Sequence, residues 1–178
     1  MPTISSVANE TLTWSQPAAM KLVFALRAGT EEDQVGSLAF RSLFGTQATA
    51  ESGDEAWTFK RVGFFHPRVT VRRLGTDDDV ATFHNNTWSG GGSLVIPGGP
   101  TFRASTNFWQ TKYEIATPEG DPLVRLHYGG VFRLHADVEI LPAARTLPEL
   151  PLIVLLSWYL AVMLYRDAQA VTTAVVAG

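Results

Sequence analysis

Between Glu10 and Leu141 apolar and polar residues alternate with a period of two rather than 3.6. In residues 20–28 (MKLVFALRA), Leu22, Phe24 and Leu26 share one face, and Lys21, Val23 and Arg27 the other. Trp57, Phe59 and Arg61 alternate with Thr58, Lys60 and Val62, and Val69 and Val71 alternate with Thr70 and Arg72. Tyr113 and Ile115 alternate with Lys112 and Glu114, and Val124, Leu126 and Tyr128 oppose Leu123, Arg125 and His127. The clearest run is 132–140. There Phe132, Leu134, Ala136, Val138 and Ile140 face one way, and Arg133, His135, Asp137 and Glu139 the other. Such runs predict antiparallel strands with one face in a core and the other in water. Turn signals separate them: Gly29 with 31–33, Gly53-Asp54, Gly75 with 77–79, then 89–92, 97–100, 118–120 and 129–130. At roughly 8–12 residues per strand, the segment holds roughly a dozen strands.

The pattern changes at residues 150–165 (LPLIVLLSWYLAVMLY), an uncharged run in which 152–156 are consecutive aliphatics. No polar stripe survives at helical spacing, and a helix that is apolar all round must be buried all round, in protein or in lipid. Thr146 and Glu149 have capping-box spacing, and Pro148 suits a first turn. Pro151 shifts the expected start a few residues later, and Arg166 suits the helix C-terminus. After Asp167 the Ala/Thr/Val-rich tail sets no pattern. The run reaches only about 24 Å as a helix, whereas a bilayer core asks for about 30 Å and about 20 apolar residues. No Lys/Arg cluster flanks it to set an orientation.

A dozen strands in an open sheet would curl or split. Closure removes the edges but leaves a lumen too wide for side chains alone. The helix needs an apolar container and the barrel needs a plug. The expected fold is therefore mainly β: a closed antiparallel barrel of about twelve strands around a central hydrophobic C-terminal α-helix. Leu152, Leu155, Leu156, Trp158, Tyr159, Leu160, Val162 and Met163 are expected to be buried in it. A single domain is expected over 10–169, with 1–9 and 170–178 as flexible or peripheral termini.

These features resemble the tubby C-terminal-like superfamily, which includes tubby, the phospholipid scramblases and the plant LURP-one-related proteins. The residues that carry the resemblance are the hairpin-rich segment, AWTFKRVG at 56–63 and LPLIVLLSWYLAVMLYRDA at 150–168. The resemblance implies a barrel of about twelve strands around a hydrophobic helix. It also implies lipid recognition by basic surface residues, as in tubby, although neither tubby's lipid site nor the scramblase calcium site can be matched residue by residue.

Composition narrows the function classes. The chain has 178 residues, 17% charged against about 25% in an average soluble domain. Its net charge of −3 and pI near 5.8 argue against a dedicated nucleic-acid binder. Without cysteine there is no disulfide, thiol nucleophile or cysteine–metal site. The polar start of the sequence lacks a secretory pattern, so a cytoplasmic and membrane-peripheral monomer is expected.

Lys60, Arg61, Arg68, Arg72 and Arg73 are the candidate anion site, suited to a phosphate or an anionic lipid headgroup. Lys60 and Arg72 are expected to share the wet face, while Arg61 and Arg73 point to the other and need partners. His127, His135, Asp137 and Glu139 form a candidate metal or acid–base face, but no ligand spacing supports it. Residues 77–79 read as a solvated turn rather than a calcium loop. Trp14, Trp57, Trp88, Trp109 and Trp158 read as core and rim aromatics.

The expected function is a non-enzymatic binding or scaffold domain without a cofactor or metal, engaging an anionic phospholipid or phosphate on the barrel surface. One alternative is a membrane protein anchored by 150–165; another is an enzyme using the His127–Glu139 face.

Overall fold

A computed structural model of the chain describes residues 1–29, 33–86 and 90–176. Glu31, Glu32, Trp88 and Ser89, which enter the turn and aromatic readings above, lie outside the described residues.

The alternating segment folds into twelve strands. They are β1 (Leu12–Ser15), β2 (Val23–Ala28), β3 (Asp33–Phe40), β4 (Ala48–Ser52), β5 (Glu55–Val62) and β6 (Arg68–Arg73), followed by β7 (Asp79–Asn85), β8 (Gly92–Val95), β9 (Thr101–Thr106), β10 (Lys112–Ala116), β11 (Pro122–Gly129) and β12 (His135–Ile140). Each strand pairs with its neighbours in sequence, and β1 pairs with β12 (Leu12 opposite Val138), which closes the ring. A helix, α1 (Leu150–Val176), runs through the lumen.

Most of the period-two faces come out as predicted, with exceptions: Phe132, expected on the inner face, precedes β12 and is exposed, and Leu123, expected on the wet face, is buried. Trp14, Phe24, Leu26, Phe59, Phe83 and Leu126 are buried in the core shared with α1. The inner wall also uses small residues, among them Ala48, Ala50, Ala81 and Ala136, which leave room for a helix about 10 Å across. Gly36 marks one close approach. A Cβ there would sit 3.3 Å from the Glu51 carbonyl oxygen and 3.4 Å from Leu155 Cδ2.

Residues of α1 from Leu150 to Met163 are all buried. Its aromatic pair locks into the wall. Trp158 stacks on Trp14 at 5.7 Å and meets the edge of Phe24 at 5.3 Å. Tyr159 stacks on Phe40 and meets Phe59, both at 5.4 Å. Two polar side chains of this segment are satisfied: Ser157 Oγ donates to the Val154 carbonyl at 2.8 Å, and Tyr159 Oη donates to the Thr46 carbonyl at 2.7 Å, whereas the buried indole N–H of Trp158 finds no partner among the described residues.

Three features differ from the sequence expectation. The helix starts at Leu150, so Pro151 rather than Pro148 lies in its first turn, where the missing N–H has no helical partner to lose. The helix also continues to Val176, well past the apolar run, because its Ala-rich tail extends an already nucleated helix. The tail 170–176 is exposed and therefore peripheral, but it is ordered as helix. Finally, residues 4–7 form a 3-10 turn rather than a frayed end. Ile4 is fully buried against the core, and its N–H donates to Ser52 Oγ at 3.0 Å. A lone isoleucine in a polar stretch has no periodicity to announce this.

Leu155 has no exposed surface. Replacing Leu155 by Asp strands a charge between helix and wall and should cost several kcal/mol. The expected result is loss of the cooperative unfolding transition by circular dichroism; a variant with an unchanged melting temperature would place the helix outside the core.

Candidate functional site

Because neighbouring strands are antiparallel, connections after odd-numbered strands gather at one end of the barrel and those after even-numbered strands at the other. β12 is even, so α1 starts at the even end and leaves through the odd end. Contacts with the 41–47 connection confirm that exit. Arg166 donates from Nη1 to the Gly45 carbonyl at 2.9 Å and from Nη2 to the Leu43 carbonyl at 2.7 Å. Its guanidinium also lies 5.1 Å from the centre of the Phe40 ring.

The two ends differ chemically. The six connections at the helix-exit end, 16–22, 41–47, 63–67, 86–91, 107–111 and 130–134, contain no Asp or Glu. They do contain Lys21, Arg41, Arg133 and His66. The six opposite segments, 29–32, 53–54, 74–78, 96–100, 117–121 and 141–149, contain eight acids and a single cation, Arg145.

The predicted cation cluster lies on the β5–β6 hairpin. Lys60 opposes Thr70, Val62 opposes Arg68 and Thr58 opposes Arg72, so Lys60 and Arg72 share the outer face as expected, and Arg68 joins them there. The hairpin spans the wall, however, and spreads the five cations between its two ends. At the acidic end Arg72 Nε binds Asp79 Oδ1 at 2.6 Å, with Asp77 at 3.6 Å, and Arg73 binds Glu55 at 3.3 Å. Arg61 has inward parity and finds its partner on α1: its Nη2 donates to Asp167 Oδ1 at 3.0 Å, and its Nη1 donates to Oδ2. That hydrogen bond raises the Arg61 pKa above its ordinary value, against the opposing effect of burial. Lys60 and Arg68 make no ion pair among the described residues. They are the part of the cluster left free, near the helix-exit end, with His84 opposite Arg68 on β7.

The second candidate face separates into structural contacts. His127 opposes Asp137, and Arg125 opposes Glu139, on β11 and β12. Arg125 binds Glu139 at 3.3 Å and Glu114 at 2.7 Å. Burial disfavours the Glu114 carboxylate, but hydrogen bonds from Arg125 and Lys112 outweigh it and hold the pKa below the usual value. Among the described residues, no group of three or more His, Asp or Glu is arranged to hold a metal ion.

The sequence reading missed the apolar tips of the helix-exit connections. Adjacent pairs, Leu43-Phe44, Phe64-Phe65, Phe108-Trp109 and Val131-Phe132, stand at four of them. Phe44, Phe64, Phe65, Phe108, Trp109 and Phe132 are 78% to 95% exposed. Among the described residues they are the only exposed Phe, Trp or Tyr side chains, and all lie at this end. Phe64 meets Phe65, and Phe108 meets Trp109, edge to face at 5.2 Å, each ring against its neighbour. Gly63, at φ +86°, turns the chain into the Phe64-Phe65 tip, where a Cβ would meet the His66 carbonyl at 2.7 Å. The signal was available in the sequence only after numbering the strands, since parity decides which loops share an end.

A cleft of about 480 Å³ lies between α1 and the 41–47 connection, lined in part by Phe44, Thr46, Met163 and Ala170. Its two arginines are engaged, Arg61 with Asp167 and Arg166 with backbone carbonyls. This cleft holds the emerging helix in place rather than offering free cations.

No protein-family model matches the chain. No curated protein matches it either. Among solved structures the chain is similar to the X-ray structure of protein AT5G01750 from Arabidopsis thaliana. That match has 10% sequence identity and a TM-score of 0.48, covering 76% of this chain and 84% of the other.

Burial pushes the Tyr159 phenol up to about 12, above its ordinary value of 10.0. A raised folded-state value means the unfolded chain loses this proton first, so the associated stability is intact below about pH 10 and is lost as the pH rises towards 12. Urea denaturation at pH 9 and pH 11 should show a smaller loss for Tyr159→Phe than for the parent; equal losses would remove Tyr159 from the buried set.

Proposed function

We propose that the chain is a non-enzymatic binding module that recognises an anionic phospholipid headgroup or phosphate, works at the cytoplasmic face of a membrane and is monomeric. We also propose that it belongs to the tubby C-terminal-like superfamily, with the LURP-one-related proteins. The closed twelve-strand barrel around a buried helix supports that placement.

The observation that carries the function is the Lys60–Arg68 pair. Both cations lie on the outer face of adjacent strands without an acid partner among the described residues, whereas Arg72 and Arg73 are neutralised. With a net charge of −3, the chain has no general attraction to anions, so any such binding must be local. The nearby connections lack acids, so they supply no carboxylate to pair with either cation. The alternative use of 150–165 as an anchor is supported by length and composition alone, because the strands already cover residues 150–163.

Co-sedimentation with phosphatidylcholine vesicles, with and without phosphatidylserine, tests the site. Each basic residue near an anionic surface contributes about 1 kcal/mol, so Lys60→Ala/Arg68→Ala should weaken binding by about 30-fold. Arg72→Ala/Arg73→Ala should change it by less than about threefold, since those charges are paired. Inorganic phosphate will compete if the ligand is a free phosphate, and will not if the vesicle surface is needed. Binding that is insensitive to both pairs would overturn the assignment.

A further inference from the structure

The exposed aromatics at the helix-exit end come from four hairpins spread between residues 44 and 132, so their convergence reflects topology rather than local composition. Soluble monomers seldom leave such apolar surface in water without a partner. The chemistry around these tips narrows what that partner is. No acid occurs in the connections that carry them, while Arg41 and Arg133 lie in the same connections, Lys21 lies in another connection of the same end, and Lys60 and Arg68 flank the Phe64-Phe65 tip. Aromatic residues with cations behind them match an anionic bilayer surface, where rings enter the headgroup layer and basic groups meet lipid phosphates.

The geometry favours a plane over a protein. A protein hot spot gathers anchors into one central cluster. Here the pairs stand on separate hairpins of a closed ring, with α1 leaving among them. Beyond Asp167 the helix carries no charge from 168 to 176 and exposes Val171, Val175 and Val176. Its two hydroxyls are satisfied inside the helix, Thr172 Oγ1 donating to the Ala168 carbonyl and Thr173 Oγ1 to the Gln169 carbonyl, each at 3.0 Å. Such a segment enters an apolar layer at lower cost than one with free hydroxyls.

We propose that the helix-exit end is a membrane-docking face, on which the barrel stands end-on against an anionic bilayer with its aromatic loop tips in the interfacial layer and the tail of α1 among them. This rests on the lipid reading above and specifies it: the ligand is the bilayer surface, and the wall cations assist the rim.

The chain has no cysteine, so single nitroxide labels can be placed without background. Labels at Phe65→Cys, Phe108→Cys and Val175→Cys, with Asp78→Cys at the acidic end, report depth through oxygen and nickel-chelate accessibility. On phosphatidylcholine–phosphatidylserine vesicles, the first three should gain oxygen access and lose nickel access, and Asp78→Cys should not change. The side chains of Phe64 and Phe65 are exposed, so Phe64→Ser/Phe65→Ser should fold normally and partition about a hundredfold more weakly. Vesicle binding with all four labels in water overturns end-on docking but leaves headgroup recognition by Lys60 and Arg68 standing. Loss of all vesicle binding by the parent chain overturns both. A dimer in sedimentation velocity that Phe64→Ser/Phe65→Ser converts to monomer would assign the tips to a second copy and overturn docking on lipid.

Discussion

Fourteen consecutive residues of α1 are buried on every side, and here a closed ring of strands covers them all round. The converse holds for the wall. A twelve-strand barrel has a bore that its own side chains cannot fill, so without the helix its inner face would be wet. Each half therefore supplies the apolar surface that the other lacks. The match is made locally by large residues where the gap is wide, such as Trp14 against Trp158, and by Gly36 where Leu155 comes close. The low charged fraction of 17% follows from this arrangement, since two apolar surfaces must be built from one short chain.

The same constraint polarises the molecule. A helix that enters after an even strand must leave at the odd end, so the topology sorts loops into two sets with separate environments. One set is acidic and surrounds the start of α1. The other has aromatic tips and no acids, and surrounds its exit. Arg61 and Arg166 tie the emerging helix to the rim through Asp167 and the 41–47 backbone. The geometry of the rim and the placement of the helix are thus one problem, and the proposed lipid contacts inherit their arrangement from it.

Much of the fold is legible in the sequence because it rests on short-range periodicity. Trp57 and Phe59 alternate with Thr58 and Lys60, and the uncharged run of 150–165 permits no exposed face. The inward parity of Arg61 was equally legible, although its partner, Asp167, lies far along the chain and no local pattern announces it. The cation cluster looked compact because its members are close in sequence. A hairpin carries them to opposite ends of a wall, and Arg72 and Arg73 find acids there. Ile4 and the helical tail beyond Asp167 were invisible for a simpler reason: one is a lone apolar residue, and the other is set by an element already formed before it.

Native-state hydrogen exchange addresses the mutual burial of helix and barrel most directly. Amides within 153–163 should exchange only through global unfolding, with the same free energy as the central wall strands, while those of 168–176 should exchange orders of magnitude faster. Exchange of 153–163 at lower free energy than the wall would show that the barrel stands without its helix, and would contradict the account.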